Sequence, residues 1–242
     1  MPGMEILGSG AGRLGQQLSP EQLLQFGTYY HELIDWNKRI NLTTITGYEE
    51  VQVNHFLDAL TVALVWQPST GSTAPRILDV GTGGGVPGVP LKITFPQIRL
   101  VLLEATAKKA AFLHHLKEQL QLEDVEIIVG RAEAIAHNTQ YREGFDMVLS
   151  RGVAPLPTLA ELTLPFCAVG GKVVVHKKGD IEEEINLASQ AINTCGGKLR
   201  EVRAVDLPEF PDKRQLVVID KISATPEQYP RRPGMPKKRP IR

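Results

Sequence analysis

The chain has little that would staple or anchor it. Its 242 residues contain two cysteines, Cys167 and Cys195, too few for a disulfide framework or a thiolate metal site, and a reducing cytoplasm is the expectation. No apolar run approaches the roughly 20 residues that a membrane span needs. Residues 1–18 are glycine-rich without a continuous apolar core, which argues against a secretory signal. Net charge is also missing: 27 cations stand against 27 acids, so any contact with nucleic acid must come from local patches. None of the six histidines has metal-ligand spacing, and no metal is expected. What remains is an ordinary globular composition, 42% hydrophobic and 22% charged, in a length that suits one α/β domain with an appendage.

Residues 1–18 are expected to be a disordered leader. Ser19-Pro20-Glu21-Gln22 then has the form of a helix start, with Ser as N-cap, Pro at the first helical position and Gln closing a capping box. Leu23, Phe26, Tyr30 and Leu33 follow at helical spacing. A second helix is predicted over 49–66, with Val53, Phe56, Leu57, Leu60 and Leu64 as its buried stripe. Pro and Gly at 68–75 mark a linker. A helical extension over 19–74 therefore precedes the main domain, 75–224, and a basic, proline-rich tail over 225–242 follows it.

Within that domain, strands are predicted at 77–80, 100–103, 125–129, 145–149 and 172–176, with helices between them, 106–122 and 180–195 being clear examples. Such alternation implies a parallel sheet covered on both faces. The last two strands, 199–205 and 215–222, are joined too briefly for a crossover helix and must be antiparallel. Five parallel strands closed by an antiparallel hairpin resemble the α/β, Rossmann-like class I fold of S-adenosylmethionine-dependent methyltransferases, a seven-stranded sheet here preceded by a helical extension.

The end of the first strand points the same way. Asp79-Val-Gly81-Thr-Gly83-Gly84-Gly85-Val86 is a glycine-dense turn of the kind that lets backbone approach a nucleotide. Its spacing alone is ambiguous, because Gly83-x-Gly85-x-x-Gly88 also satisfies a dinucleotide fingerprint. Asp79, two residues before the first glycine, resembles the acid-led turn of S-adenosylmethionine enzymes. In open α/β sheets, ligands sit beyond the carboxyl ends of the strands. The second strand ends at Glu104-Ala105-Thr106, an acid placed for ribose hydroxyls. The third ends in Arg131-Ala132-Glu133, a corner that flanks adenine in this fold, although Glu133 also suits a helix N-terminus. The fourth ends in Ser150-Arg151, a cation at the reaction centre fit for positioning cofactor or substrate rather than for taking a proton.

Cations outside this set leave two readings open. Lys177 and Lys178, after the fifth strand, suit either phosphate contact or a solvated turn. The tail holds Arg231, Arg232, Lys237, Lys238 and Arg239 with no acid near them, and its prolines argue against helix. It reads either as terminal disorder or as an RNA-phosphate clamp. His55 and Asp58, one helical turn apart, make a polar spot on the second helix. Whether His55 and Asn41 touch RNA or join the extension to the sheet is open at this level.

Taken in order, Asn41-Leu-Thr, His55-Phe-Leu-Asp-Ala-Leu60, Asp79 through Leu91, Ser150-Arg151 and Arg231-Arg232-Pro-Gly closely resemble the bacterial small-subunit ribosomal RNA guanine-N7 methyltransferases, the glucose-inhibited division protein B family. The likeness runs from about Pro20 to the C-terminus, and Ala59 stands where many relatives have Ser. It implies methyl transfer from S-adenosyl-L-methionine to N7 of a guanine in the 530 loop of 16S rRNA. It places cofactor contacts on Gly81, Val86, Glu104, Ala105, Thr106, Ala132, Glu133 and Arg151, and the glycine turn itself adds Asp79, Gly83 and Gly85 to the expected cofactor-binding set. The partner implied is the small ribosomal subunit; near-neutral charge and a single domain make a monomer the expectation, in the cytoplasm that the cysteine count suggests. Rival readings are a methyltransferase for a small molecule or protein, a nicotinamide oxidoreductase, and an RNA-binding protein with a vestigial cofactor fold. The terminal hairpin weighs against the second, and the intact turn with Glu104 against the third.

Overall fold

A computed structural model describes residues 3–68 and 74–241. The linker expected at 68–75 falls largely outside these residues. One seven-stranded sheet organises the chain: β1 (Arg76–Val80), β2 (Arg99–Glu104), β3 (Val125–Val129), β4 (Phe145–Arg151), β5 (Cys167–Lys178), β6 (Gly197–Val205) and β7 (Arg214–Lys221), in the order β3-β2-β1-β4-β5-β7-β6. Strands β1 to β5 pair in parallel, while β7 runs antiparallel to both β5 and β6. The strand order reverses between β1 and β4, so the carboxyl ends of those two strands flank the crevice where such sheets bind ligands.

Alternation along each strand splits the core in two. Ile77, Leu100, Leu102, Met147 and Leu149 face one side, packed with α2 (Pro20–Asn37), α5 (Gly88–Thr94) and α6 (Ala107–Gln119). Leu78, Val80, Val101, Leu103 and Val148 face the other, against α8 (Leu156–Thr163) and α9 (Glu182–Thr194). The helix start at Ser19 forms as expected: the Ser19 hydroxyl accepts from the Gln22 amide at 3.2 Å, and the Gln22 side chain accepts from the Ser19 amide at 2.9 Å. The second helix is assembled from α3 (Tyr48–Val51), a π-helical turn over Gln52–Leu57, α4 (Asp58–Leu60) and a closing 3-10 turn over Thr61–Leu64.

Both ends of the chain depart from expectation. Most of the leader is not disordered: α1 (Glu5–Arg13) buries Leu7, Gly10 and Ala11. Its glycines permit close packing, since a Cβ on Gly10 would lie 2.5 Å from a methyl of Leu57. The Leu7 amide also donates to the buried Gln52 side chain at 3.2 Å. Gly10→Val is therefore expected to destabilise the fold by about 1–3 kcal/mol through overpacking, read from urea denaturation. An unchanged midpoint would mean that α1 does not pack there.

The tail is likewise ordered, folding back along α7 (Ala132–Ile135) and α8 and forming a single turn, α10 (Met235–Lys238). Proline is excluded from helix interiors but suits a first turn, which is where Pro236 sits.

Candidate active site

The glycine loop after β1 is braced from beneath and from behind. Asp79 is fully buried; its Oδ2 accepts from the Thr82 hydroxyl at 2.6 Å and from the Gly88 amide at 2.8 Å. Asp79 Oδ1 is buried with no hydrogen-bond partner among the described residues. Burial pushes this carboxyl up to about 6, against the Thr82 and Gly88 bonds, which favour the charged form. Asp79 thus lies under the loop and fixes its shape. From behind, the buried Tyr29 of α2 donates its hydroxyl to the Gly84 carbonyl at 2.6 Å. Gly81 needs to be glycine twice over: its φ is +71°, and a Cβ there would lie 2.6 Å from Val153.

Glu104, nearly buried at the end of β2, uses both oxygens on backbone: Oε2 accepts from the Gly83 amide at 3.0 Å and Oε1 from the Thr106 amide at 2.8 Å. It clamps the glycine loop to the β2 corner while each oxygen keeps a further lone pair. Two cavities of about 190 Å³ flank Gly81. One is bounded by Leu103, Ala105, Ala132, Glu133, Val153 and Leu162. The other is polar, bounded by Thr82, Gly83, Val86, Lys109 and Arg151. The expected cofactor positions Gly81, Gly83, Val86, Ala105, Ala132, Glu133 and Arg151 are thereby gathered along one cleft, with Asp79, Gly85, Glu104 and Thr106 setting the backbone that lines it. An apolar end and a polar end meeting at a residue without a side chain fit a molecule with a nucleoside at one end and an amino acid at the other.

A third cavity, about 670 Å³, shares Thr43, His55, Arg151 and Gly152 with the polar one and extends past Asn41, His176, Lys177 and Lys178. Arg151 stands at the junction. Its Nη1 donates to the Asn54 carbonyl at 2.7 Å and to Asp58 Oδ2 at 2.9 Å, and its Nη2 lies 3.1 Å from His55 Nδ1. Nδ1 also lies 3.1 Å from the Asn54 carbonyl, so it either accepts from Arg151 or donates to that carbonyl, and Nε2, 2.8 Å from the Thr43 hydroxyl, takes the complementary role. On the far side of Asp58, Arg214, 2% exposed, ion-pairs with Oδ1 at 2.7 Å without hydrogen-bond alignment. His176 Nε2 donates to the Asp58 carbonyl at 3.0 Å.

Burial, then the nearby Arg151, lowers His55 to about 4. Burial likewise lowers His176 to about 4, so both imidazoles are neutral at pH 7. Burial alone would raise the Asp58 carboxyl, but the cationic surroundings hold it below the ordinary carboxylate range. With His176 neutral, Arg151 and Arg214 supply that charge. His55 thus joins the helical extension to the sheet and also lines the third cavity. Arg214 and Asn54, whose side chains also meet, carried no sequence signal: each becomes a partner only through the fold.

The basic residues divide. Lys177 is tied to Glu184 and the Ala154 carbonyl, and Arg231 grips the fully buried Glu161 with Nε at 2.9 Å and Nη2 at 2.6 Å. Arg231 is therefore a structural fork and not a free phosphate ligand. Lys178 pairs at the surface with Asp212 at 3.2 Å. Asn41, Arg232, Lys237, Lys238 and Arg239 are exposed. Among the described residues, no group of three His, Cys, Asp or Glu side chains is placed to hold a metal, and no helix is long and apolar enough to cross a membrane.

The family model for rRNA small subunit methyltransferase G matches residues 22–217. A ribosomal RNA small subunit methyltransferase G from Dehalococcoides mccartyi strain CBDB1 is 53% identical over 238 residues, 98% of this chain and 100% of that protein. Another from Roseiflexus castenholzii is 44% identical, covering 94% of this chain and 95% of its own length. Among solved structures, a predicted O-methyltransferase from Agrobacterium tumefaciens aligns with a TM-score of 0.51 at 17% identity, over 64% of this chain and 78% of that one, a likeness of fold alone. With the family model spanning most of the sheet and relatives matched along nearly their whole length, the chain belongs to the rRNA small subunit methyltransferase G family.

Proposed function

We propose that this protein transfers a methyl group from S-adenosyl-L-methionine to N7 of a guanine in the 530 loop of 16S rRNA, acting as a monomer on the small ribosomal subunit in the cytoplasm. The observation that carries this reading is the junction at Arg151, where the polar end of the cofactor cleft opens into a cavity of about 670 Å³. S-adenosyl-L-methionine, when bound, supplies a sulfonium methyl that N7 takes by in-line displacement, the positive charge passing from sulfur to the base. Guanine N7 carries a lone pair and no proton, so the reaction needs no general base.

The groups at the junction match that demand. Both ring nitrogens of His55 are already engaged, Nδ1 by Arg151 and the Asn54 carbonyl and Nε2 by the Thr43 hydroxyl, and Asp58 is ion-paired on both oxygens. They hold geometry, and alignment is what such a displacement requires. Arg151 positions the reactants from a fixed frame. Asp79, Gly81, Gly83, Gly85 and Val86 shape the loop beneath the cofactor, with Glu104, Ala105 and Thr106 beside its ribose and Ala132 and Glu133 beside its adenine. Exposed Asn41, Lys178, Arg232, Lys238 and Arg239 are the groups offered to RNA.

The test is methyl transfer from labelled S-adenosyl-L-methionine to small subunits lacking 530-loop modification, with product mapped by N7-specific strand cleavage. Label at one loop guanine is the expected result. Label elsewhere in the rRNA would retain a methyltransferase and remove this target. Affinity for the subunit is also expected to fall as salt rises, because phosphate contacts release counterions.

A further inference from the structure

The segment after β7 does not trail from the domain; it is anchored to it at successive points. The fully buried Lys221 donates to the Leu164 carbonyl at 2.8 Å. Arg142 donates to the carbonyls of Thr225 at 2.8 Å and Tyr229 at 2.9 Å. The Arg231 fork then closes on Glu161, whose Oε1 also accepts the Arg231 amide at 2.7 Å. From that latch the chain crosses the β3 corner. The Gly234 amide donates to Glu133 Oε1 at 2.9 Å, and the Thr158 hydroxyl donates to the Pro236 carbonyl at 3.2 Å. Lys237, next along, lines the same cavity as Ala132, Glu133 and Leu162.

We infer that residues 231–237 are the outer wall of the adenosine half of the cofactor site, with Arg231–Glu161 as the latch that positions it. The inference rests on the S-adenosylmethionine reading of the cleft and extends it: the C-terminal cations divide between a cofactor wall and an RNA face. Glu133 is the shared element, one carboxylate oxygen holding the strap while the residue lines the cavity. Thr158 does the same from α8. A wall anchored in advance confers affinity because little ordering remains to be done on binding. Since it touches only the nucleoside end, its loss must weaken every ligand that carries adenosine by a similar factor, whatever stands at the sulfur end.

The test is calorimetric binding of S-adenosylmethionine, S-adenosylhomocysteine and 5′-methylthioadenosine to the full-length protein and to Arg231→Ala, Arg231→Lys and Lys237→Ala. Arg231→Ala is expected to weaken all three by about tenfold or more. Arg231→Lys keeps the charge but not the two-pronged contact, and recovers part of that loss. Because Arg231→Ala leaves Glu161 buried without its partner and so lowers stability too, Lys237→Ala at an exposed position is the independent variant. It is expected to leave the melting temperature of the ligand-free protein unchanged and to weaken all three ligands by about threefold. If wild type binds the three ligands and Lys237→Ala binds them equally well, the wall is refuted while the cofactor reading stands. If wild type itself binds none of them, the cofactor reading fails and the wall with it. If the variants lose affinity only for ribosomal subunits, the strap is an RNA clamp and the inference is overturned.

Discussion

Asp58→Ala is expected to lower the stability of this protein by about 3–5 kcal/mol, the cost typical of removing one partner from a buried ion pair. Asp58 is 4% exposed and holds two guanidinium groups, Arg151 at 2.9 Å and Arg214 at 2.7 Å, the latter itself 2% exposed. Truncating it leaves Arg151 without a carboxylate and Arg214 with Asp212 alone, in a site that burial already makes hostile to charge, as the lowered His55 and His176 show. The effect exceeds that of a surface pair, worth about 0–1 kcal/mol, because solvent cannot replace the lost carboxylate. Urea denaturation reads it directly. The double variant Asp58→Ala/Arg214→Met is expected to lose less than the sum of its single variants, because it no longer buries an Arg214 deprived of its Asp58 carboxylate. A loss under about 1 kcal/mol for Asp58→Ala would put this junction in the class of solvated pairs.

The same junction shows where sequence reading stops. Strand positions and the terminal hairpin were legible because alternation and short connections are local properties: Ile77–Val80 and Lys172–His176 lie within the observed β1 and β5. The strand-end rule also located Asp79, Glu104, Glu133 and Arg151 around one crevice. Which protein groups they contact there was not legible. Glu104 reads as a ribose acid, and its oxygens are bonded to the amides of Gly83 and Thr106, contacts set by the meeting of two corners 21 residues apart. The same limit explains both termini. Gly10 reads as flexibility until Leu57 is known to lie against it, and Arg231 reads as a free cation until Glu161, 70 residues away, is buried beneath it. Arg214 follows Asp212 and Lys213 with no pattern to mark it, and only pairing with β5 carries it to Asp58.

Asp79→Asn is expected to stabilise the ligand-free protein and weaken its cofactor site, effects of opposite sign from one atom. The Asp79 carboxyl is raised to about 6 by burial, against about 3.9 in an unfolded chain. A raised acid binds its proton more tightly when folded, so its contribution to stability is greatest below about pH 4 and is lost as pH climbs towards 6. Two pKa units correspond to about 3 kcal/mol, present as a cost throughout the neutral range. The asparagine oxygen accepts the Thr82 and Gly88 bonds as Oδ2 does now, and its amide replaces the unpartnered Oδ1 with no charge to desolvate. Urea midpoints of the two proteins are therefore expected to diverge between pH 4 and 6, with the variant ahead by up to about 3 kcal/mol above that window. A difference that stays constant with pH would show that Asp79 does not titrate there. A carboxylate kept ionised at such a cost beneath a glycine loop fits a cationic ligand above it, and S-adenosylmethionine carries both an ammonium and a sulfonium. The variant is accordingly expected to bind S-adenosylmethionine more weakly at pH 7.5 than wild type, even though it unfolds later, the trade expected where strain at a site serves binding.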